Sequence, residues 1–465
     1  MQKLLYLYLV FVCCNLRVIA QVDRVRDDGS EGFIRLEMFE EKVDLRQLDQ
    51  LPHSYEIYAS LGLNQSSFER FLAQPVDRYA LVIPGKKEFT LQLERVDFVA
   101  PGATLITADR DHQPLDLGDM HFYQGRIKDV AHSSVSLSII EQQITALISH
   151  PELGDLQVAT FGKSDTYLVY QTKDWADKIG VFCDTPDEPT RYLPEQLINS
   201  TTLRSTDIPL TLYLEIDYDI FLHYGDVNAT KAFALTLFNQ LRGLYSGEHI
   251  NVLLADLFIW NAPSPYHGSS SYEMLSKFQE VRQAFNGDIG QLISYKASGG
   301  LAASFAGLCN PDRSQSLSFS HIEPPVYSSE GLNEATIVIA HEIGHLLGSR
   351  HTHACVWNGN NTAIDGCAGY VEGTCGLPPS PKNGGTVMSY CHLQDQGSQI
   401  YNGYGQQPGN VLRFELYNRP CTPARNSLVF FDGAALIVDL NFPTHSYYLH
   451  QEEYIPVIKN AHQYR

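Results

Sequence analysis

The run His341-Glu342-Ile343-Gly344-His345-Leu346-Leu347-Gly348-Ser349-Arg350-His351 constrains this chain more than any other stretch. On a helix, positions four apart share a face, so His341 and His345 can address one ion. Glu342 stands beside them, within reach of a water held by that ion. Gly348 lets the chain leave the helix through a backbone conformation that costs other residues more. That turn returns His351 as a third ligand. Three neutral imidazoles with an open fourth position describe a catalytic zinc site, since structural sites are usually closed by four protein ligands. A bare H-E-x-x-H also occurs as polar residues on a helix surface, but the added glycine and third histidine make that a poor account. The approach from Glu334 to Ala340 is apolar at helical spacing, which sets the metal face against a core.

This eleven-residue motif resembles that of the metzincin zinc endopeptidases. Those enzymes also carry a methionine turn under the zinc, and Thr386-Val387-Met388-Ser389-Tyr390 is similar to it, with Met388 placed 37 residues beyond His351. Met388 taken alone reads as core filler. The resemblance implies peptide-bond hydrolysis: His341, His345 and His351 hold one Zn²⁺, and Glu342 serves as general base. Tyr390 has two readings. In astacin- and serralysin-type members a tyrosine two residues after the turn methionine approaches the zinc; otherwise it is a packed ring with a locally bonded hydroxyl. Reprolysins generally lack that tyrosine, and they usually have Asp where this chain has Thr352. His321, His353 and His392 read as surface residues or supports, because the ligand set is already complete.

The first 20 residues read as a secretory signal: Lys3, an apolar run from Leu4 to Cys14 too short to span a bilayer, then Val18-Ile19-Ala20 before Gln21. No later segment is apolar for long enough to cross a membrane. Seven cysteines remain past that point: Cys183, Cys309, Cys355, Cys367, Cys375, Cys391 and Cys421. The six after residue 300 suggest three disulfides, with about 15 pairings open to six cysteines. Cys183 stands alone. It is either a free thiol (buried, or paired with another molecule) or a latency switch that occupies the open metal position, as in some metzincin zymogens. The net charge of −20 argues against nucleic acid or an anionic membrane as partner, and otherwise serves solubility.

Residues 21–195 read as strand and turn. Tyr79 to Ile83 and Glu88 to Leu93 flank Pro84-Gly85 as a hairpin, and Ser133 to Ser138 and Gln143 to Ile148 alternate likewise. His121-Phe122-Tyr123-Gln124-Gly125, followed by Ser133 to Ser138, resembles the pro-domain of the reprolysin (ADAM-like) branch. Residues 184–206, rich in Pro, Asp, Thr and Ser, read as a linker open to proteolysis, with Arg191 and Arg204 its only basic residues. From Ile208 onward strands and helices alternate: a strand over 209–216, a helix over 230–245, a strand over 251–260, a helix over 271–285 and a strand over 291–301. Gly299 to Cys309 resembles the edge strand that reprolysins place beside the cleft. Gly300, Leu301 and Ala302 could there pair with extended substrate, the alternative being a Gly-rich turn. After Cys421, Leu428 to Phe431 and Ala435 to Val438 are strand-like.

The expected fold class is α/β, a metzincin-type catalytic domain with a mixed, mostly parallel sheet, a zinc helix and a Met-turn, preceded by a β-rich pro-domain. The expected divisions are 1–20 signal peptide, 21–195 pro-domain, 196–207 linker, 208–425 catalytic domain and 426–465 tail. The expected protein is a secreted zinc endopeptidase made as a latent precursor. It acts on protein or peptide substrates, with no nucleic-acid partner and no membrane anchor. Two rivals stand beside it: a non-catalytic secreted binding protein that keeps its zinc, and a metal-dependent amidase on a non-peptide substrate. Calcium is left open, since no loop motif argues for it.

Overall fold

The computed structural model describes residues 32–42, 55–85, 88–109, 112–160, 166–172, 183–185, 191–198, 209–325, 331–394, 397–419 and 421, and the backbone of 427–431 and 434–438. The expected signal at 1–20 lies outside the described residues, as does most of the tail. Within that tail, Ser427–Phe431 and Ala434–Val438 pair antiparallel, as their composition predicts. Among the described residues no helix is long and apolar enough to cross a membrane.

Alternation of apolar and polar residues builds the N-terminal part into a sheet of ten strands. Arg78–Ile83 and Phe89–Arg95 form the hairpin expected around Pro84-Gly85, with Tyr79 opposite Leu93. Ser134–Ile140 and Gln143–His150 form the next expected hairpin, its turn made by Glu141 and Gln142, both at positive φ (49° and 64°). Tyr79, Leu91, Ile139 and Val169 belong to the apolar core that this sheet buries.

The second sheet has seven strands: β1 (Val99–Thr107), β2 (His112–Pro114), β3 (Leu210–Ile216), β4 (Val252–Ile259), β5 (Ile289–Ser294), β6 (Gly300–Ala302) and β7 (Leu317–His321), in the order β6-β7-β5-β3-β4-β1-β2. The inner five run parallel, and β6 and β2 close the two edges antiparallel. One strand was expected over 291–301. The chain instead breaks after β5, because Ala297 and Gly299 take positive φ (63° and 77°) and turn it back as the separate edge strand β6.

β1 and β2 come from the N-terminal part of the chain, far from the other five in sequence. They extend the sheet beyond β4, where the Asp256 carboxylate accepts from both the backbone N–H and the hydroxyl of Thr104 at 2.7 and 2.9 Å. Phe98 and Phe122 are buried in one core with Phe238 and Leu254. The long helix α1 (Val227–Gly247) starts where the Asp226 carboxylate caps the N–H groups of Asn228 and Ala229 at 2.8 and 3.0 Å. It lies between the two sheets. Phe233, Leu237, Leu241 and Leu244 are buried, while Asn239 donates to Leu137 C=O at 3.1 Å on the N-terminal sheet. Helix α2 (Ser271–Val281) covers the opposite face of the seven-stranded sheet with Met274 and Phe278. Helices α3 (Leu332–Leu346) and α4 (Gln406–Asn418) complete the metal-site region.

Candidate metal centre

The apolar side of α3, with Ile339, Ala340, Ile343 and Leu346, faces the shared core and leaves His341, Glu342 and His345 at the cleft. Gly348 at φ 93° ends the helix and brings back His351, as the motif predicts. The Nε2 atoms of His341 and His351 each lie 3.2 Å from Nε2 of His345. The other ring nitrogens are committed: Nδ1 of His341 to Val387 C=O at 2.7 Å, of His345 to Ser349 C=O at 2.8 Å, and of His351 to Glu372 Oε1 at 2.8 Å. Acceptors at every Nδ1 put the protons there, so three Nε2 lone pairs converge on one point. Burial lowers the pKa of all three rings, and their mutual repulsion adds to it for His341 and His345. Three buried neutral imidazoles whose Nε2 lone pairs converge on one point fit a bound cation.

Met388, fully buried, packs under the site as expected for the turn. A Cβ on Gly344 would sit 2.7 Å from its Sδ, so the helix is glycine there to let the turn approach. The same turn supplies the Val387 carbonyl to His341, and its Met388 carbonyl accepts from Thr352 N–H at 3.1 Å. Thr352, where Asp was expected for the branch, is thus a buried tie to the Met-turn.

Cys183 enters the cleft. It forms a parallel bridge with Gly300 on β6, and Asp184 N–H donates to Gly300 C=O at 3.0 Å. Its Sγ lies 3.3 Å from His345 Nε2 and 3.6 Å from Glu342 Oε2. Cys183, His341, His345 and His351 each offer a ligand atom, all within 4.8 Å of one another. Burial and the neighbouring Glu342 carboxylate hold the thiol pKa well above its usual value. Tyr390 does not point to a free site: its hydroxyl donates to the Cys183 carbonyl at 3.0 Å. Burial raises its pKa too. Gly300 leaves no room for a side chain, since a Cβ there would come within 2.2 Å of Glu342 Oε1. Burial pushes the Glu342 carboxyl up to about 8, against hydrogen bonds from Cys183 and Thr185.

Sequence reasoning missed two residues of this centre. Thr185 accepts from Ala302 N–H at 3.0 Å and donates to Glu342 Oε2 at 3.4 Å, which sews the entering segment to the edge strand. Glu372 orients His351 and lies 3.2 Å from His353 Nε2. Burial alone would raise its pKa, but the hydrogen bonds and charge of the two histidines bring it down to about 2. An acid in a Gly-rich loop carries no signal, and only proximity to Cys375 hints that the loop is tethered. His353, read as a surface residue or support, is fully buried and stacks on His351 at 4.9 Å. His392 packs beside Tyr390 at 5.6 Å, and His321 stands 3.2 Å from Glu323 at the end of β7.

The six late cysteines pair as Cys309–Cys421, Cys355–Cys375 and Cys367–Cys391. The second closes the loop that holds Glu372, and the third ties that loop to the residue after Tyr390. Cys183 is free, as its isolation implied.

Comparison with known proteins places this geometry. Residues 209–398 match the family model Reprolysin_5, metallo-peptidase family M12. The chain is similar to mouse (Mus musculus) disintegrin and metalloproteinase domain-containing protein 19, 25% identical over 362 residues, 70% of this chain and 36% of that relative. It therefore spans little more than a third of that relative's length. Among solved structures, metalloproteinase-II from Bacteroides fragilis aligns with a TM-score of 0.36 at 13% identity, over 71% of this chain and 94% of that one. By motif, fold and family, the region 209–398 is a reprolysin-like metzincin domain of the metallopeptidase type, and a β-rich N-terminal region precedes it.

Proposed function

We propose that this protein is a secreted zinc endopeptidase made as a latent precursor. The convergence of three Nε2 lone pairs beside a buried carboxylate carries the reading. His341, His345 and His351 would hold the ion. Bound there, Zn²⁺ supplies Lewis acidity and lowers the pKa of a coordinated water toward about 7. Glu342 would act as the general base toward that water and return the proton to the leaving amine. β6, with Gly300, Leu301 and Ala302, is the edge to which an extended peptide adds its backbone.

The N-terminal β-rich region acts as the pro-domain, and Cys183 enforces latency. It is the fourth ligand atom of the set and lies on the same strand edge that substrate needs. A cation held by the three histidines would favour the Cys183 thiolate over the thiol. Tyr390, tied to the Cys183 carbonyl in the closed form, becomes available to the developing oxyanion when that segment leaves. Three disulfides around the site support secretion.

The test is cleavage of an unfolded protein by the processed form, with and without a chelator, beside Glu342→Ala. The expected result is chelator-sensitive cleavage that falls by about 10²–10⁴-fold in the variant while its metal content stays the same. Metal-loaded, folded wild type with no cleavage would favour the non-catalytic binding protein instead.

A further inference from the structure

The stretch between the cleft segment and β3 does more than connect them. Residues 191–198 fold against the metal-site region, with Pro194–Leu197 as a single helical turn. The Tyr192 hydroxyl donates to Gly348 C=O at 2.8 Å and accepts from Arg350 N–H at 2.8 Å. Both groups belong to the left-handed exit from α3, where a helix end leaves backbone groups without helical partners. The next residue is the ligand His351. The Tyr192 ring packs on Trp357 at 4.7 Å, and Trp357 Nε1–H donates to His351 C=O at 2.8 Å. One tyrosine therefore supports the ligand's backbone from both sides. The strap is anchored beyond it: Leu197 is buried, its carbonyl accepts from Asn410 at 2.8 Å, and Gln196 donates to Glu415 at 2.8 Å.

We propose that Tyr192 is a positioning residue for the His351 ligand, that this strap stays with the active enzyme, and that the productive processing cut falls on the N-terminal side of Tyr192, not after Arg204. The proposal rests on the zinc endopeptidase reading. Arg191 is exposed and offers a basic residue to an external endopeptidase. Hydrolysis there adds water across one peptide bond, leaving a new carboxylate on the Cys183 side and a new amine on the strap side. A cut after Arg204 would instead leave the strap on the pro-region, and departure of that region would strip both hydrogen bonds from the 348–350 turn.

Two experiments test this, the first on the full chain and the second on the cleaved protein, with Co²⁺ as a spectroscopic stand-in for zinc. Tyr192→Phe keeps the ring on Trp357 and removes only the hydroxyl, so the fold is preserved. A chelator should extract Co²⁺ from it about tenfold faster than from wild type, the scale of one or two lost hydrogen bonds, with an altered visible spectrum. Equal extraction and an unchanged spectrum would overturn the positioning role. For the cut, a site for a sequence-specific protease is engineered to end at residue 191 or at residue 204, and the pro-region is removed after cleavage. The 204-cut protein should lose Co²⁺ about tenfold faster than the 191-cut protein; equal rates would overturn the processing assignment. A wild type that takes up no Co²⁺ at all would sink the zinc reading as well, which separates the two failures.

Discussion

The N-terminal region grips the metal-site region at two places built on different physics. At the back edge, β1 and β2 complete the seven-stranded sheet, and Phe98, Phe122 and Leu147 share one apolar core with α1 and β4. At the cleft edge, residues 183–185 hold on through a backbone bridge to Gly300, the Cys183 thiol, and hydroxyl contacts made by Thr185, Tyr390 and Ser271. Burial of large apolar side chains is worth several times what a single hydrogen bond returns net of water. The same covering region is therefore firm where it completes a sheet and loose where it blocks chemistry. Latency and structural support need not be lost together.

The largest effect that sharpens this contrast is at the back edge. Phe122→Ala should destabilise the protein by about 3–5 kcal/mol in denaturant unfolding, and both sheets should unfold together. Two well-separated transitions in the wild type would break the picture of a shared core.

A second test is the pH dependence of the tie between Asp155 on the N-terminal sheet and Ile400 N–H at 2.8 Å beside the Met-turn. Burial raises the Asp155 carboxyl to about 6, against the hydrogen bonds from Ile400 and Ser149. Its folded pKa exceeds its unfolded one, so the native state binds the proton more tightly. The contribution is full below the unfolded pKa and is lost as pH rises through about 6. Stability should fall by on the order of 2–3 kcal/mol across that window in wild type, and this dependence should vanish in Asp155→Asn. An unchanged slope in the variant would remove Asp155 from the account.

At the cleft edge the effects are smaller and fall on activity. Gly300→Ala forces a methyl against the Glu342 carboxylate, so the processed enzyme should lose roughly 10–100-fold in turnover while keeping its metal. Wild-type rates would mean that β6 gives way freely. Cys183→Ala should raise peptidase activity of the unprocessed chain by about tenfold or more and leave its unfolding midpoint nearly unchanged. A large stability loss would show that this edge, too, is structural. Tyr390→Phe removes one hydrogen bond to the blocking segment, worth about 1 kcal/mol, and should show as a modest leak of activity before processing. A variant as silent as wild type would mean that this hydrogen bond does not hold the blocking segment in place.

The sequence by itself determined whatever depends on neighbours along the chain. His341, Glu342, His345, Gly348 and His351 lie within eleven residues, and helical geometry turns that spacing into a shared face and a return. The hairpins at Pro84-Gly85 and before Gln143, the helix around Phe233 and Leu241, and the edge strand at Gly300 were legible for the same reason. The break between β5 and β6 was not, because Ala297 at positive φ is a choice made by packing and not by composition. The tertiary structure decided every pairing across long separations. It set Phe98 and Phe122 beside α1, Glu372 under His351, Thr185 against Glu342, Tyr192 across the 348–350 turn, and one of the disulfide pairings open to six cysteines. Those partners have no fixed offset in sequence. The free energy that selects them comes from apolar surface and buried polar groups that meet only once the chain has closed on itself.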